Sequence, residues 1–196
     1  MFTDPQIIIN NDGEAVYYPL VFNTVEAQKL LTELLSNIEW QHDKVIMFGK
    51  QITTKRKVAW YAGEGISYTY AGKRKDPLPW TPLLLSIKEI VEKQTGATYN
   101  ACLLNLYHAG EEGMSWHRDN EKEIVPESSI ASVSFGAARK FAFKHGSTAQ
   151  KIELMLDAGS VLDMRGSIQQ HWYHALPPSK KVKALRVNLT FRLLIK

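Results

Sequence analysis

A mainly β, α+β domain is predicted for this chain, with many short antiparallel strands in two sheets, braced by helices on one face. Three observations predict it. Apolar residues recur at helical spacing in two segments, both before residue 97. From about residue 99 the period drops to two, over a series of short β-branched and aromatic stretches. No internal repeat, low-complexity tract or long linker divides the 196 residues, so one domain covering 1–196 is expected.

The first helix begins at Asn23, which can cap it, with Glu26 three residues on as in a capping box. Leu30, Leu31, Leu34, Leu35 and Ile38 then give one apolar stripe. Residues 41–80 read as short strands and turns punctuated by Gly49, Gly63, Gly65 and Gly72, a separate hairpin-rich module. The second helix opens at Thr81-Pro82, where proline suits the first helical position, and stops at Gly96. Its stripe is Leu83, Leu84, Ile87, Ile90 and Val91. Strands are predicted at Ala101–Tyr107, Ile130–Phe135, Lys140–Lys144, Lys151–Leu156, Ser160–Met164, His171–Ala175 and Ala184–Leu194.

Composition excludes several classes. A hydrophobic fraction of 44% with 22% charged residues is that of a folded soluble domain. No run nears the roughly 20 apolar residues that span a bilayer, and the start lacks a basic segment before an apolar core. No membrane association is expected. The single cysteine, Cys102, excludes an intrachain disulfide and is compatible with a reducing compartment. A soluble intracellular protein is expected, cytoplasmic or, in a nucleated cell, nuclear. Nothing points to an oligomer, so a monomer is expected. The net charge of +4 is partly clustered in Lys55-Arg56-Lys57, Lys73-Arg74-Lys75 and Lys180-Lys181 with Lys183. Such runs suit a polyanion such as nucleic acid, although a solvated lysine-rich face has the same composition.

The most informative local pattern is His117-Arg118-Asp119, followed by His171-Trp172-Tyr173-His174. In an extended segment His117 and Asp119 share a face, with Arg118 opposite. A histidine from a distant strand would complete two imidazoles and one carboxylate, the ligand set of non-haem iron(II) oxygenases. His171 and His174 differ in parity, so one strand cannot aim both inward, and spacing does not choose between them. Zinc accepts the same ligand types, which leaves a metallohydrolase open.

The last strand narrows the choice. Arg186, Asn188, Thr190 and Arg192 share one face, and Val187, Leu189, Phe191 and Leu193 the other. A polar face in water is one reading. The other is a cavity wall whose guanidinium groups clamp a dicarboxylate such as 2-oxoglutarate. Asn105 and Tyr107 share a face of an earlier strand and could add hydrogen bonds. A zinc hydrolase would give the two arginines nothing to do.

These residues resemble the AlkB-type dealkylating dioxygenases. The resemblance runs from about residue 40 to the end. It rests on Asn105-Leu106-Tyr107, His117-Arg118-Asp119, Ile130-Ala131-Ser132-Val133-Ser134-Phe135-Gly136, Met164-Arg165-Gly166, Trp172-Tyr173-His174 and the run from Arg186 to Arg192. It implies a double-stranded β-helix (jelly-roll) core with two supporting helices and an N-terminal nucleotide-recognition hairpin module at 41–80. It selects His174 as third ligand of Fe(II), beside His117 and Asp119. It assigns Arg192 and Asn105 to one end of 2-oxoglutarate, and Arg186, Tyr107 and Asn188 to the other. The implied reaction consumes dioxygen and 2-oxoglutarate, yields succinate and carbon dioxide, and hydroxylates an N-alkyl carbon so that an aldehyde leaves the repaired base.

The same resemblance points to alkylated DNA, with bases such as 1-methyladenine and 3-methylcytosine flipped out to be reached. Tyr70 matches a base-stacking aromatic, and Glu121 an acidic residue that contacts the flipped base. Met47-Phe48-Gly49-Lys50 resembles the hairpin of the double-strand-specific animal members, in which the phenylalanine fills the gap left by the extruded base. Lys50 and Arg56 are phosphate or opposite-strand candidates, as are Lys73 and Arg74. Asn120, Lys55-Arg56 and Asp163-Met164-Arg165 depart from that subgroup and bear on substrate preference. RNA dealkylation by the same chemistry and a non-catalytic nucleic-acid-binding β-barrel are the alternatives.

Overall fold

A computed structural model describes residues 4–47, 50–66, 68–70, 73–75 and 77–195, with side chains described outside 43–52 and 67–76. The elements run β1 (Gln6–Ile9), β2 (Glu14–Tyr18), α1 (Thr24–Asn37), β3 (Gln41–Met47), β4 (Lys50–Ala62), β5 (Tyr68–Tyr70), β6 (Lys73–Lys75), β7 (Leu78–Pro79), α2 (Pro82–Thr95) and β8 (Ala101–Tyr107). They continue with β9 (Met114–His117), β10 (Ile130–Gly136), β11 (Arg139–His145), β12 (Lys151–Leu156), β13 (Val161–Arg165), α3 (Ile168–His171), β14 (Trp172–Leu176) and β15 (Arg186–Arg192).

Local chemistry sets both long helices. Asn23 Oδ1 accepts from the Val25 and Glu26 N–H groups at 3.0 Å, and the Asn23 N–H donates to Glu26 Oε2 at 2.9 Å. This is a complete capping box, worth about 1 kcal/mol. Thr81 caps α2, Pro82 follows it, and Gly96 ends it in the left-handed region at φ 69. Leu84, Ile87, Val91 and Thr95 form the buried stripe. Ile90, expected on that stripe, is 44% exposed, because the 84–87–91–95 spacing rotates it off the packed face.

The strands form a large sheet of order β1-β2-β13-β10-β15-β8-β4-β3, with β7 beside β4, a small sheet of order β12-β11-β14-β9, and a two-stranded ribbon of β5 and β6. Every pairing among the described residues is antiparallel except β4 with β7. Two cores result. One lies between the large sheet and the helices, holding Leu31, Leu34, Leu84, Ile87 and Val91 with Leu104, Val187, Leu189 and Phe191. The other lies between the sheets around Tyr107, Phe141, Phe143, Met164 and Trp172. This is the two-layer jelly-roll arrangement with helices on one face.

Three expectations need correction. Residues 41–80 are not a separate module, because β4 pairs with β8 from Lys57↔Leu106 to Ala62↔Ala101 and so extends the large sheet. His171 is not in a strand: it ends the four-residue helix α3, and β14 begins at Trp172. Strands β1, β2 and β9 were not foreseen; β1 and β2 extend the large sheet beyond β13.

Arg139, also not foreseen, is 1% exposed and donates from Nη2 to the carbonyls of Gly110 (3.1 Å), Glu112 (2.8 Å) and Pro177 (3.1 Å). It ties the loop before β9 to the segment after β14. Arg139→Met should therefore destabilise the fold by about 3 kcal/mol, since several carbonyls lose their donor. A melting temperature lower by roughly 6–12 °C is the expected reading; an unchanged one would mean the three contacts are idle.

Candidate active site

Strand β15 decides where the chemistry can sit. All seven of its residues are buried, so the reading with its polar face in water fails. Val187, Leu189 and Phe191 enter the core under the helices, and alternation turns Arg186, Asn188, Thr190 and Arg192 toward the space between the sheets. The neighbouring β8 does the same with Asn105 and Tyr107, which lie directly opposite Asn188 and Arg186. The small sheet closes this space. Its strands β9 and β14 pair with His117 directly across from His174.

The result is a cavity of about 330 Å³ lined by Asn105, Tyr107, His117, Asp119, Glu121, His174, Arg186, Asn188 and Arg192, among others. Residues far apart in the second half of the sequence, from Leu103 to Arg192, thus meet on one surface. Arg118, expected on the face opposite to His117 and Asp119, also lines the cavity, with its guanidinium 3.9 Å from the Tyr173 ring centroid and Nη1 donating to the Gln170 carbonyl.

At one end His117, Asp119 and His174 each offer a ligand atom, all within 4.8 Å of one another. His117 Nε2 and His174 Nε2 lie 3.7 and 4.0 Å from Asp119 Oδ1. His117 Nδ1 is 2.8 Å from the Ser115 carbonyl, which requires the proton on Nδ1 and leaves the Nε2 lone pair for a metal. His174 stacks on Phe141 at 5.5 Å, which fixes its ring plane. The second oxygen of Asp119 accepts from Arg192 Nη2 at 2.7 Å, and the Asp119 N–H donates to Gln169 Oε1 at 3.0 Å. Arg192, read from sequence as a cosubstrate anchor, therefore also positions the carboxylate. Gln169 was missed, because no periodic signal attaches it to Asp119.

Electrostatics fit the same use. Burial would raise the Asp119 carboxyl, but Arg192 first, then His174 and His117, outweigh it and hold the pKa at about 2. Burial lowers His174 to about 4 against the pull of Asp119, so its imidazole is neutral at pH 7. Metal ligation needs these two forms. His174 binds a proton in the unfolded chain near the ordinary histidine value of 6.5 but in the folded one only near 4. Stability is thus undiminished above the higher value and falls as the pH drops through that window. At about 1.4 kcal/mol per unit the loss is roughly 3 kcal/mol. Denaturant titrations of metal-free protein, wild type against His174→Gln, should show the variant losing less stability on acidification.

The other end of the cavity is built for an anion. Arg186 is 2% exposed, and its Nη2 donates to Ser134 Oγ at 2.9 Å. Among the described residues no carboxylate pairs with it, and its Nε has no hydrogen-bond partner. Burial lowers it to about 10, so it is still a cation at neutral pH. Tyr107 lies beside it, its ring centroid 5.6 Å from the guanidinium carbon. Asn188 Nδ2 is held by Ser132 Oγ and the Val133 carbonyl, both at 2.8 Å, and Asn105 Oδ1 is buried without a partner. A buried cation and orphaned polar atoms facing one cavity fit a carboxylate-bearing ligand.

The substrate candidates fare differently. Glu121 lines the cavity. Arg56 is 8% exposed with Nη1 3.3 Å from Met114 Sδ, so contact with a phosphate would need it to leave that seat. Phe48 lies outside the described residues, as do the side chains of Lys50, Tyr70, Lys73 and Arg74.

Comparison with known proteins agrees with this geometry. Residues 14–192 match the 2OG-Fe(II) oxygenase superfamily. The DNA oxidative demethylase ALKBH2 of Mus musculus is 41% identical over 92% of this chain and 80% of its own length. The alpha-ketoglutarate-dependent dioxygenase alkB homolog 3 of Homo sapiens is 34% identical over 98% of this chain and 77% of its own. The solved structure of OsALKBH1 superposes with a TM-score of 0.67 over 96% of this chain and all of that one, at 14% identity, and so shares the fold.

Proposed function

The chain belongs to the 2OG-Fe(II) oxygenase superfamily, in its AlkB-like branch, and we propose that it removes N-alkyl groups from bases in DNA by oxidative dealkylation. Fe(II) is the metal of that family, and 2-oxoglutarate and dioxygen are its cosubstrates. The supporting observation is one cavity with a two-histidine, one-carboxylate cluster at one end and, at the other, an arginine that no carboxylate among the described residues pairs with.

On this reading His117, Asp119 and His174 hold the metal. Bound there, iron(II) supplies the activation of dioxygen that couples decarboxylation of 2-oxoglutarate to hydroxylation of the alkyl carbon. The protein's own residues do the rest. Arg192 and Gln169 keep Asp119 ionised and oriented. Arg186, Tyr107 and Asn188 grip one end of 2-oxoglutarate, with Asn105 and Arg192 toward the other. Phe141, Leu103 and Leu176 line the remaining wall and exclude water. Glu121 faces the incoming base at the same cavity.

We infer further that duplex DNA is accepted and that residues 41–80 recognise the nucleotide. The relatives named DNA oxidative demethylase support DNA as the substrate, and the Met47-Phe48-Gly49-Lys50 sequence, with its central phenylalanine, supports the duplex form. An apolar wedge offsets the stacking lost when a base leaves the duplex. Phe48→Ala should thus lower repair of duplex 1-methyladenine about tenfold more than repair of the single strand, since unstacking costs a few kcal/mol. Formaldehyde release from matched DNA and RNA oligonucleotides is the measurement. Equal loss on both DNA forms removes the wedge, and faster turnover of RNA transfers the reading to an RNA demethylase.

A further inference from the structure

We propose that Asp12, His145 and His171 form a second cation site, distinct from the catalytic centre, for a zinc-class divalent metal. Each offers a ligand atom, and the three atoms lie within 4.8 Å of one another. They come from three elements distant in sequence: the β1–β2 turn, the end of β11 and the end of α3. His145 Nε2 is 3.1 Å from Asp12 Oδ2, and the His145 and His171 rings are parallel to within 4°, with centroids 6.1 Å apart.

The convergence is held from several sides. Trp172 Nε1 donates to the Asn11 carbonyl at 3.0 Å, tying the turn to the residue after His171. Gly13 packs so closely that a Cβ would overlap the Ile168 backbone. The Gly146 N–H donates to the His171 carbonyl at 2.7 Å, joining the two histidine-bearing segments. His145 is 3% exposed while Asp12 is exposed, so the cluster has an inner wall and a face open to water. Two imidazoles and one carboxylate with a water in fourth place are a ligand set that zinc accepts.

Proton placement is consistent with exchangeable binding. Without a metal, His145 Nε2–H donates to Asp12, while Nδ1 accepts the Thr148 N–H at 3.2 Å and lies 3.2 Å from Ser147 Oγ. A cation takes the Nε2 lone pair, and the ring proton moves to Nδ1, where Ser147 Oγ can accept it. The Thr148 hydrogen bond is lost, which sets the site apart from a tightly closed structural one. The bound cation would clamp the β1–β2 turn to the start of β14, the strand that carries His174 three residues on.

The test uses the full chain, stripped by chelator and then titrated with zinc alone. His117→Gln combined with Asp119→Asn disables the catalytic ligands. That variant should still bind one zinc per chain and melt at a higher temperature with zinc than without. Adding Asp12→Asn or His171→Gln, both at water-accessible positions, should weaken that binding by more than about tenfold and remove the shift. Absence of zinc from the His117→Gln/Asp119→Asn chain would overturn the proposal. So would retention of the melting shift after both further substitutions. An active wild type that binds a metal only through Asp119 would overturn the second site and leave the dealkylase standing; zinc held through Asp12 by an inactive protein would do the reverse.

Discussion

Asp119→Asn is expected to reduce succinate formation below detection while leaving the fold intact. Asparagine keeps the shape and can still accept from Arg192, whose Nη2 lies 2.7 Å from Oδ2. What it loses is the charge that Arg192 and the two imidazoles hold in place down to about pH 2. A cation bound by two neutral imidazoles and an amide lacks the only anionic protein ligand of the cluster. Losing even an outer partner costs about 10–100-fold in metal affinity, so losing this carboxylate should cost more than about a hundredfold. Anaerobic Fe(II) titration separates the causes: weakened metal binding with a native circular dichroism spectrum is the expected pair. Wild-type succinate production by Asp119→Asn would remove the metal centre from the account.

Arg186→Met carries the second largest effect. A charge-assisted bond contributes about 1.5–3 kcal/mol, and a guanidinium can make two to one carboxylate. Removing it should weaken 2-oxoglutarate by about a hundredfold, a factor of ten for each 1.4 kcal/mol. Stability should move the other way. Arg186 is buried with no carboxylate partner among the described residues, so the ligand-free protein bears a desolvation cost that methionine relieves. The variant should therefore melt no lower than wild type. Added to metal-loaded protein at a hundredfold excess over the wild-type Kd, 2-oxoglutarate should raise the wild-type melting temperature by the equivalent of about 2.7 kcal/mol and that of the variant by only about 0.4 kcal/mol. An unchanged KM for 2-oxoglutarate in Arg186→Met, or a lower melting temperature without ligand, would mean that Arg186 serves the fold instead.

The readings that held are those with short-range causes. The cap at Asn23, the proline start and glycine stop of α2, and the strands Ala101–Tyr107 and Lys151–Leu156 follow from residues a few positions apart. The alternation of β15 likewise named its polar face from sequence. What failed depends on partners far along the chain. Residues 41–80 look like an independent hairpin module until β4 is seen to pair with β8, a pairing written in no local pattern. Strand β9 is four residues long and follows no strong alternation, yet its pairing with β14 sets His117 opposite His174.

Parity alone left His171 and His174 unresolved. Tertiary structure resolves them by ending a helical turn at His171, so that one imidazole faces Asp12 and the other Asp119. The sequence by itself determined the kinds of ligand, the two guanidiniums and the strand that presents them, because side-chain alternation is a property of a single strand. Only the packed sheets decided which groups meet, that Arg192 holds Asp119, and that Arg186 meets no carboxylate among the described residues, because distances between remote residues arise from pairing and burial.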